Sequence, residues 1–246
     1  MKLVRFEVDG KVYSGKLNGS VIEPWGSCRA PKDYQLDNVR LLAPCQPTKV
    51  VAVGLNYRDH IIEMGHQMPE EPVIFLKPSS SVIGPDEFII LPPQSSRVDH
   101  ESEFAVVIGK TASRVSSQDA RDFILGYTCL NDVTARDLQS KDGQWTRAKG
   151  FDTFCPIGPW IETEIDPGDL GIELFLNGER RQASRTSNLI FNPYFLVEFI
   201  SGIMQLNPGD VIATGTPSGV GPLNEGDKVE VRIEGIGSLF NITKKS

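Results

Sequence analysis

Three acidic side chains occupy positions where a carboxylate is expensive. In the stretch RVDHESEFAVVIGK (97–110), Phe104 to Ile108 form a continuous apolar run of the kind that fills a buried strand, and Glu101 and Glu103 stand at its mouth. Side chains alternate faces along a strand, so the two carboxylates point the same way, about 7 Å apart. Like charges at the edge of a core repel each other and lose solvation. A divalent cation converts that repulsion into attraction. Asp132, which ends the apolar strand GYTCLND, is the candidate third ligand. Oxygen-only donors select a hard ion, Mg²⁺ first, then Mn²⁺ or Ca²⁺. The plain alternative is a solvated strand end. His100 faces away from the two glutamates and reads as structural.

A second constellation lies in GLNYRDHIIEMGHQMPEEP. His60 and Glu63 are three residues apart, which one helical turn brings side by side. A carboxylate beside an imidazole raises its basicity and fixes its tautomer, which makes a base able to activate water. An ordinary surface ion pair would show the same spacing. Gly65, Pro69 and Pro72 bracket a segment able to move as a lid, its residues Met64 to Glu71 are expected to line the distal pocket, and His66 reads as surface. Just past Asp132 come Arg136, Gln139, Arg147 and Lys149; a lysine or glutamine near a metal can stabilise a developing oxyanion, although most single surface lysines do not. The turn IATGTPSGVG (212–221) is no phosphate loop, since no lysine follows its glycines. Its backbone N–H groups and the Thr216 hydroxyl suit a carboxylate.

Short strands must position these residues. Residues 1–47 read as a small β-meander, with turns at Asp9-Gly10 and Asn18-Gly19, followed by a connection; residues 48–246 read as the main domain. KVVAVGL (49–55) and PVIFLKP (72–78) read as buried strands. A helix is expected to start at Ser116 and Asp119 and stop at Gly126, another over 134–140, and the longest over 193–205, capped by Asn192 with Pro193 in its first turn. An Asn-Gly hairpin is expected at Asn177-Gly178. Strands outnumber helices without βαβ alternation, so the fold class is mainly β with a few helices (α+β), its sheets rolled on themselves. A net charge of −7 without a basic patch argues against nucleic acid, and no apolar run is long enough to span a membrane. The N-terminus lacks a signal-peptide core, which makes the cytoplasm the expected location. Cys28, Cys45, Cys129 and Cys155 are scattered and read as buried free thiols.

Taken together, VGLNYRDH, PVIFLKPSSSVIGP, HESEFAVVIGK, GYTCLNDVTARDLQ, WTRAKGFDTFCPIGPW and GDVIATGTPSGVGPL resemble the fumarylacetoacetate hydrolase family, in the family's order, over about residues 45 to 245. The resemblance implies a mixed β-roll, a Mg²⁺ or Mn²⁺ site, a homodimer, and chemistry on small 2-oxo acids of the kind met in aromatic catabolism. It implies Glu101, Glu103 and Asp132 as metal ligands, His60 with Glu63 as the acid–base dyad, and Lys149 as the oxyanion lysine. Arg136, Gln139, Lys77 and Thr216 fall on supporting or substrate-contacting positions. Fumarylacetoacetase carries a large N-terminal domain where this chain has a short meander, so the shorter members are the better guide. The expected reaction is hydrolysis of a C–C bond in an acylpyruvate-like β-diketo acid through a metal-bound enolate. The alternatives are isomerisation or tautomerisation of a 2-hydroxyhepta-2,4-diene-1,7-dioate-type substrate or oxaloacetate, and oxaloacetate decarboxylation. A non-catalytic ligand-binding module would instead leave the acids solvated.

Overall fold

The computed structural model describes residues 1–26, 32–65 and 67–246. Its largest sheet has twelve strands. The meander Lys2–Val8, Lys11–Asn18, Val21–Trp25 joins it where Lys2–Val8 pairs antiparallel with Cys155–Glu162. The order then runs through Ile124–Asn131, Ser102–Ile108, Val211–Ala213 and Val50–Gly54 to Val73–Lys77 at the edge. A five-stranded sheet of Glu179–Arg185, Gly171–Leu176, Lys228–Ile233, Gly237–Lys245 and Phe88–Leu91 supplies much of the opposing layer. A three-stranded patch joins Thr134–Ala135, Val98–His100 and Gly221–Pro222. The fold is mainly β with a few helices, as the strand-rich pattern predicts.

Strand Ser102–Ile108 is central and buried on both faces, which explains its unbroken apolar run. Phe104, Val106 and Ile108 enter the main core with Tyr127, Cys129, Leu174 and Val231. Ala105 and Val107 face a second cluster with Val50, Ala52, Leu130 and Ala213. Glu101 and Glu103 share the parity of Ala105 and Val107, so they stand at the open end of that second cluster.

Helices are few: Arg58–Met64, Arg136–Asp142, Thr146–Lys149 and Pro193–Ile203. The last has the expected cap, the Asn192 side chain accepting from the N–H groups of Tyr194 and Phe195 at 3.0 Å. Two expectations need correction. The segment after Ser116 is no helix reaching Gly126. Ser116 Oγ and Asp119 bond to each other at 2.7 Å, but only a 3₁₀ turn follows over Ala120–Phe123. Pairing of Ile124 with Ile108 and Gly126 with Val107 draws the rest into the sheet. Strand Val73–Lys77 is not wholly buried either. As an edge strand it leaves Val73 and Leu76 exposed. Cys45, Cys129 and Cys155 are buried free thiols; Cys28 and His66 lie outside the described residues. Among the described residues no helix is long and apolar enough to cross a membrane.

Phe104 is fully buried and stacks on Tyr127 with centroids 4.9 Å apart. Phe104→Ala is expected to lower the free energy of unfolding by about 3–5 kcal/mol, measured by urea denaturation. A cost under ~1 kcal/mol would contradict the two-faced burial of this strand.

Candidate active site

Sheet register builds the site. Strands Ser102–Ile108 and Ile124–Asn131 pair Ser102 with Asn131 and Glu103 with Leu130. One residue beyond, the Asp132 N–H donates to Glu101 O at 2.9 Å, so the ladder delivers Asp132 beside Glu101 although 31 positions separate them. The Glu101 N–H donates to Asn131 Oδ1 at 3.0 Å. Ligand oxygens of Glu101, Glu103 and Asp132 lie within 4.8 Å of one another, and all three residues are buried. The solvated-strand-end alternative is thereby excluded.

Buried cations surround two of the three acids. Lys149, brought in by the short helix Thr146–Lys149, donates from Nζ to Glu101 Oε2 at 2.8 Å and also to Asp132 Oδ2. Lys77 Nζ donates to Asp132 Oδ1 at 2.6 Å and to the Val133 carbonyl. Arg136 donates to Glu101 Oε1, to Asp99 Oδ2 at 2.9 Å and to Gln139 Oε1 at 2.6 Å. Both lysines are buried, which is tolerable only for paired charges.

Glu103 is the exception. Its hydrogen-bond partner is the Gly215 N–H, at 2.8 Å to Oε2. Gly215 has φ +102°, and a Cβ there would stand 2.9 Å from Asn56 Cβ, so a side chain would disturb this contact. Burial pushes the Glu103 carboxyl well above the usual range, and Asp132 and Glu101 push it further. For Glu101 burial also works upward, but Lys149 and Arg136 outweigh it and hold the carboxyl below its ordinary value. Burial alone would lower the Lys149 ammonium; Asp132 and Glu101 outweigh that too and hold it above its usual value. The cluster therefore has a charge deficit at Glu103. An oxygen-only donor set with that deficit fits a hard divalent cation, held by Glu101, Glu103 and Asp132.

These acids line a cavity of about 280 Å³ together with Val53, Leu55, His60, Phe75, Trp145 and Thr216, and with Arg136, Gln139 and Lys149. Its volume suits a small organic acid. His60 comes from helix Arg58–Met64. Its Nδ1 lies 3.3 Å from Glu63 Oε2, so the Nδ1 proton faces Glu63 and Nε2 is left for other chemistry. The Gly219 N–H in turn approaches both Glu63 oxygens at 3.3 Å, so the glycine-rich turn braces the dyad as well as Glu103.

Two of the expected basic residues do not line the cavity. Lys77 holds Asp132 and lies outside the cavity lining, and Arg147 pairs with Asp142 at the surface. Nor do the described residues 67–71 line the cavity. Several neighbours carried no signal. The aromatic pair Phe75 and Trp145, centroids 5.1 Å apart, forms an apolar wall, and Asp99 steadies Arg136. Asn56 ties the His60 helix to the glycine-rich turn, donating to Thr214 O at 2.7 Å. Their types were ordinary for core, turn and surface. A larger open hollow of about 770 Å³ near Arg180 and Arg232 has its guanidiniums already paired, to Glu173 and Glu230.

Fold and site together define a β-roll protein whose buried acid cluster opens on a cavity of small-molecule size. Residues 49–243 match the fumarylacetoacetate (FAA) hydrolase C-terminal family description, and the chain belongs to that family of enzymes. Among solved structures, 5-carboxymethyl-2-hydroxymuconate delta-isomerase from Mycobacterium smegmatis is 48% identical with a TM-score of 0.94, covering 100% of this chain and 99% of that one. Maleylpyruvate hydrolase from Sphingobium sp. SYK-6, in complex with manganese(II) ion and pyruvate, is 31% identical with a TM-score of 0.84 and full coverage of both chains. A mitochondrial oxaloacetate tautomerase of Rattus norvegicus is 44% identical over 215 residues, which are 82% of this chain and 69% of the relative.

If the trio is a cation site, Mg²⁺ or Mn²⁺ should raise the melting temperature of chelator-treated protein with a concentration dependence set by mass action, about 2.7 kcal/mol at a hundredfold excess over Kd. Glu103→Gln should abolish that rise, yet melt in chelator no lower than the wild type, because it removes the carboxyl that lacks a cation. Scanning fluorimetry reads both.

Proposed function

We propose that this chain moves a proton at the carbon beside the keto group of a small 2-oxo acid, interconverting keto and enol or shifting a double bond. The observation carrying this reading is that His60, its Nδ1 engaged by Glu63, lines the same 280 Å³ cavity as the acid trio. Bound at Glu101, Glu103 and Asp132, Mg²⁺ or Mn²⁺ supplies a Lewis acid that acidifies the C–H next to the carbonyl. His60 Nε2 takes the proton from one position and returns it to the other, while Glu63 at Nδ1 holds the ring's orientation. Lys149 offers an ammonium to the oxygen that gains charge. Val53, Leu55, Phe75 and Trp145 give the cavity an apolar wall beside the acids. The isomerase and tautomerase relatives, at 48% and 44% identity, support this reading, and oxaloacetate is its first substrate.

Hydrolysis of an acylpyruvate-like C–C bond is the second reading, and Gln139 favours it. The Gln139 Oε1 faces the donor-only Arg136, and among the described residues no acceptor engages Nε2. That N–H group suits the oxyanion formed when water attacks a carbonyl. The maleylpyruvate hydrolase relative supports it as well. A cytoplasmic homodimer completes the proposal; the exposed Val73 and Leu76 on the edge strand Val73–Lys77 are consistent with a second copy.

In D₂O, deuterium should enter C3 of oxaloacetate faster with enzyme than without. In ¹⁸O water, label in the acid product of an acylpyruvate would identify hydrolysis instead. His60→Gln should lower kcat by about a hundredfold or more while Mn²⁺ affinity stays at the wild-type value. Unchanged turnover removes His60 from the chemistry.

A further inference from the structure

Strand Glu179–Arg185 reads ERRQASR and is polar and mostly exposed, yet Gln182 within it is buried to 1% exposure. Its amide meets four groups near the site. Oε1 accepts from the Ser102 N–H at 2.9 Å and lies 3.3 Å from His100 Nδ1. Nε2 donates to Pro217 O at 2.8 Å and to Thr216 Oγ1 at 2.9 Å. The orientation of this amide is not free. Ser102 N–H can only donate, so it faces the oxygen; Pro217 O can only accept, so it faces the nitrogen. The second hydrogen of Nε2 then points at Thr216, and the Thr216 oxygen must act as the acceptor. Its own proton is left over, and among the described residues no acceptor takes it. Thr216 lines the cavity.

We propose that Gln182 is a positioning residue that fixes the Thr216 hydroxyl as a hydrogen-bond donor toward a carboxylate in the cavity, while pinning the Ser102 peptide between Glu101 and Glu103. One buried side chain thus sets the spacing between the acids that hold a cation and the hydroxyl that meets an anion. A hydroxyl that already accepts one hydrogen bond and has no other acceptor for its proton presents that proton to a group such as a carboxylate. The inference rests on the reading that a 2-oxo acid enters this cavity.

The test is a double-mutant cycle on the Mn²⁺-loaded protein, with calorimetric titration of oxalate and steady-state turnover of oxaloacetate. Gln182→Met and Thr216→Val should each weaken oxalate binding about tenfold and raise KM similarly, with kcat falling less than threefold, as expected for a lost charge-assisted hydrogen bond. The double variant should be within twofold of Thr216→Val alone, and Thr216→Ser, which keeps the hydroxyl, should keep the dependence on Gln182. Losses that multiply to about a hundredfold, or a Gln182→Met that binds oxalate like the wild type, overturn the proposal. Should Gln182→Met fail to fold, Gln182→Glu serves in its place, since it keeps the shape and the acceptor for Ser102 but lacks both donors. The binding arm separates this role from the catalytic reading: non-additive oxalate affinities without oxaloacetate turnover keep Gln182 and sink the reaction, whereas turnover with multiplying losses does the reverse.

Discussion

Everything in this molecule is arranged around a cluster of buried carboxylates that cannot all be charged without help. Three acids have oxygens within 4.8 Å of one another inside a β core, where desolvation and mutual repulsion act together. Lys149, Lys77 and Arg136 answer two of them, and removing one member of such a buried pair typically costs about 3–5 kcal/mol. Glu103 is left with a backbone N–H alone. The pairing of the three acids is thus uneven: two are neutralised by buried or half-buried cations and one is not.

The scaffold converts this electrostatic problem into geometry. A strand buried on both faces cannot slip by one residue without exchanging the contents of its two clusters, so Glu101 and Glu103 are fixed by the packing of Phe104 to Ile108. The neighbouring ladder carries Asp132 to Glu101 by the same register. Rigid strands therefore hold the acids, and loops and short helices bring His60, Gln139, Lys149 and Thr216 to the same cavity.

The turn from Thr214 to Gly219 ties the two halves together. Its backbone and side chains reach Phe104 through Thr214, Glu103 through Gly215, Gln182 through Thr216 and Pro217, and Glu63 through Gly219. Asn56 closes the loop by binding Thr214 O and the Phe191 backbone. A displacement of this turn would be felt at once by the acid trio, the dyad and the Thr216 hydroxyl.

The sequence by itself determined the element types with strong local signals. These include the Asn192-Pro193 helix start, the Asn177-Gly178 hairpin, the apolar run of Phe104 to Ile108, and the placement of Glu101 and Glu103 on one face at its mouth. It misjudged the segment after Ser116, where the capping pattern was real but sheet pairing overrode helix propensity. Only the tertiary structure decided that Lys77 serves Asp132, that Arg147 stays at the surface, that Phe75 and Trp145 wall the cavity, and that Gln182 from a polar strand reaches Thr216. Local patterns record the chain's own periodicity and nearest neighbours. Which cation faces which acid depends on strand order and register across the whole sheet, and no short stretch of sequence carries that information.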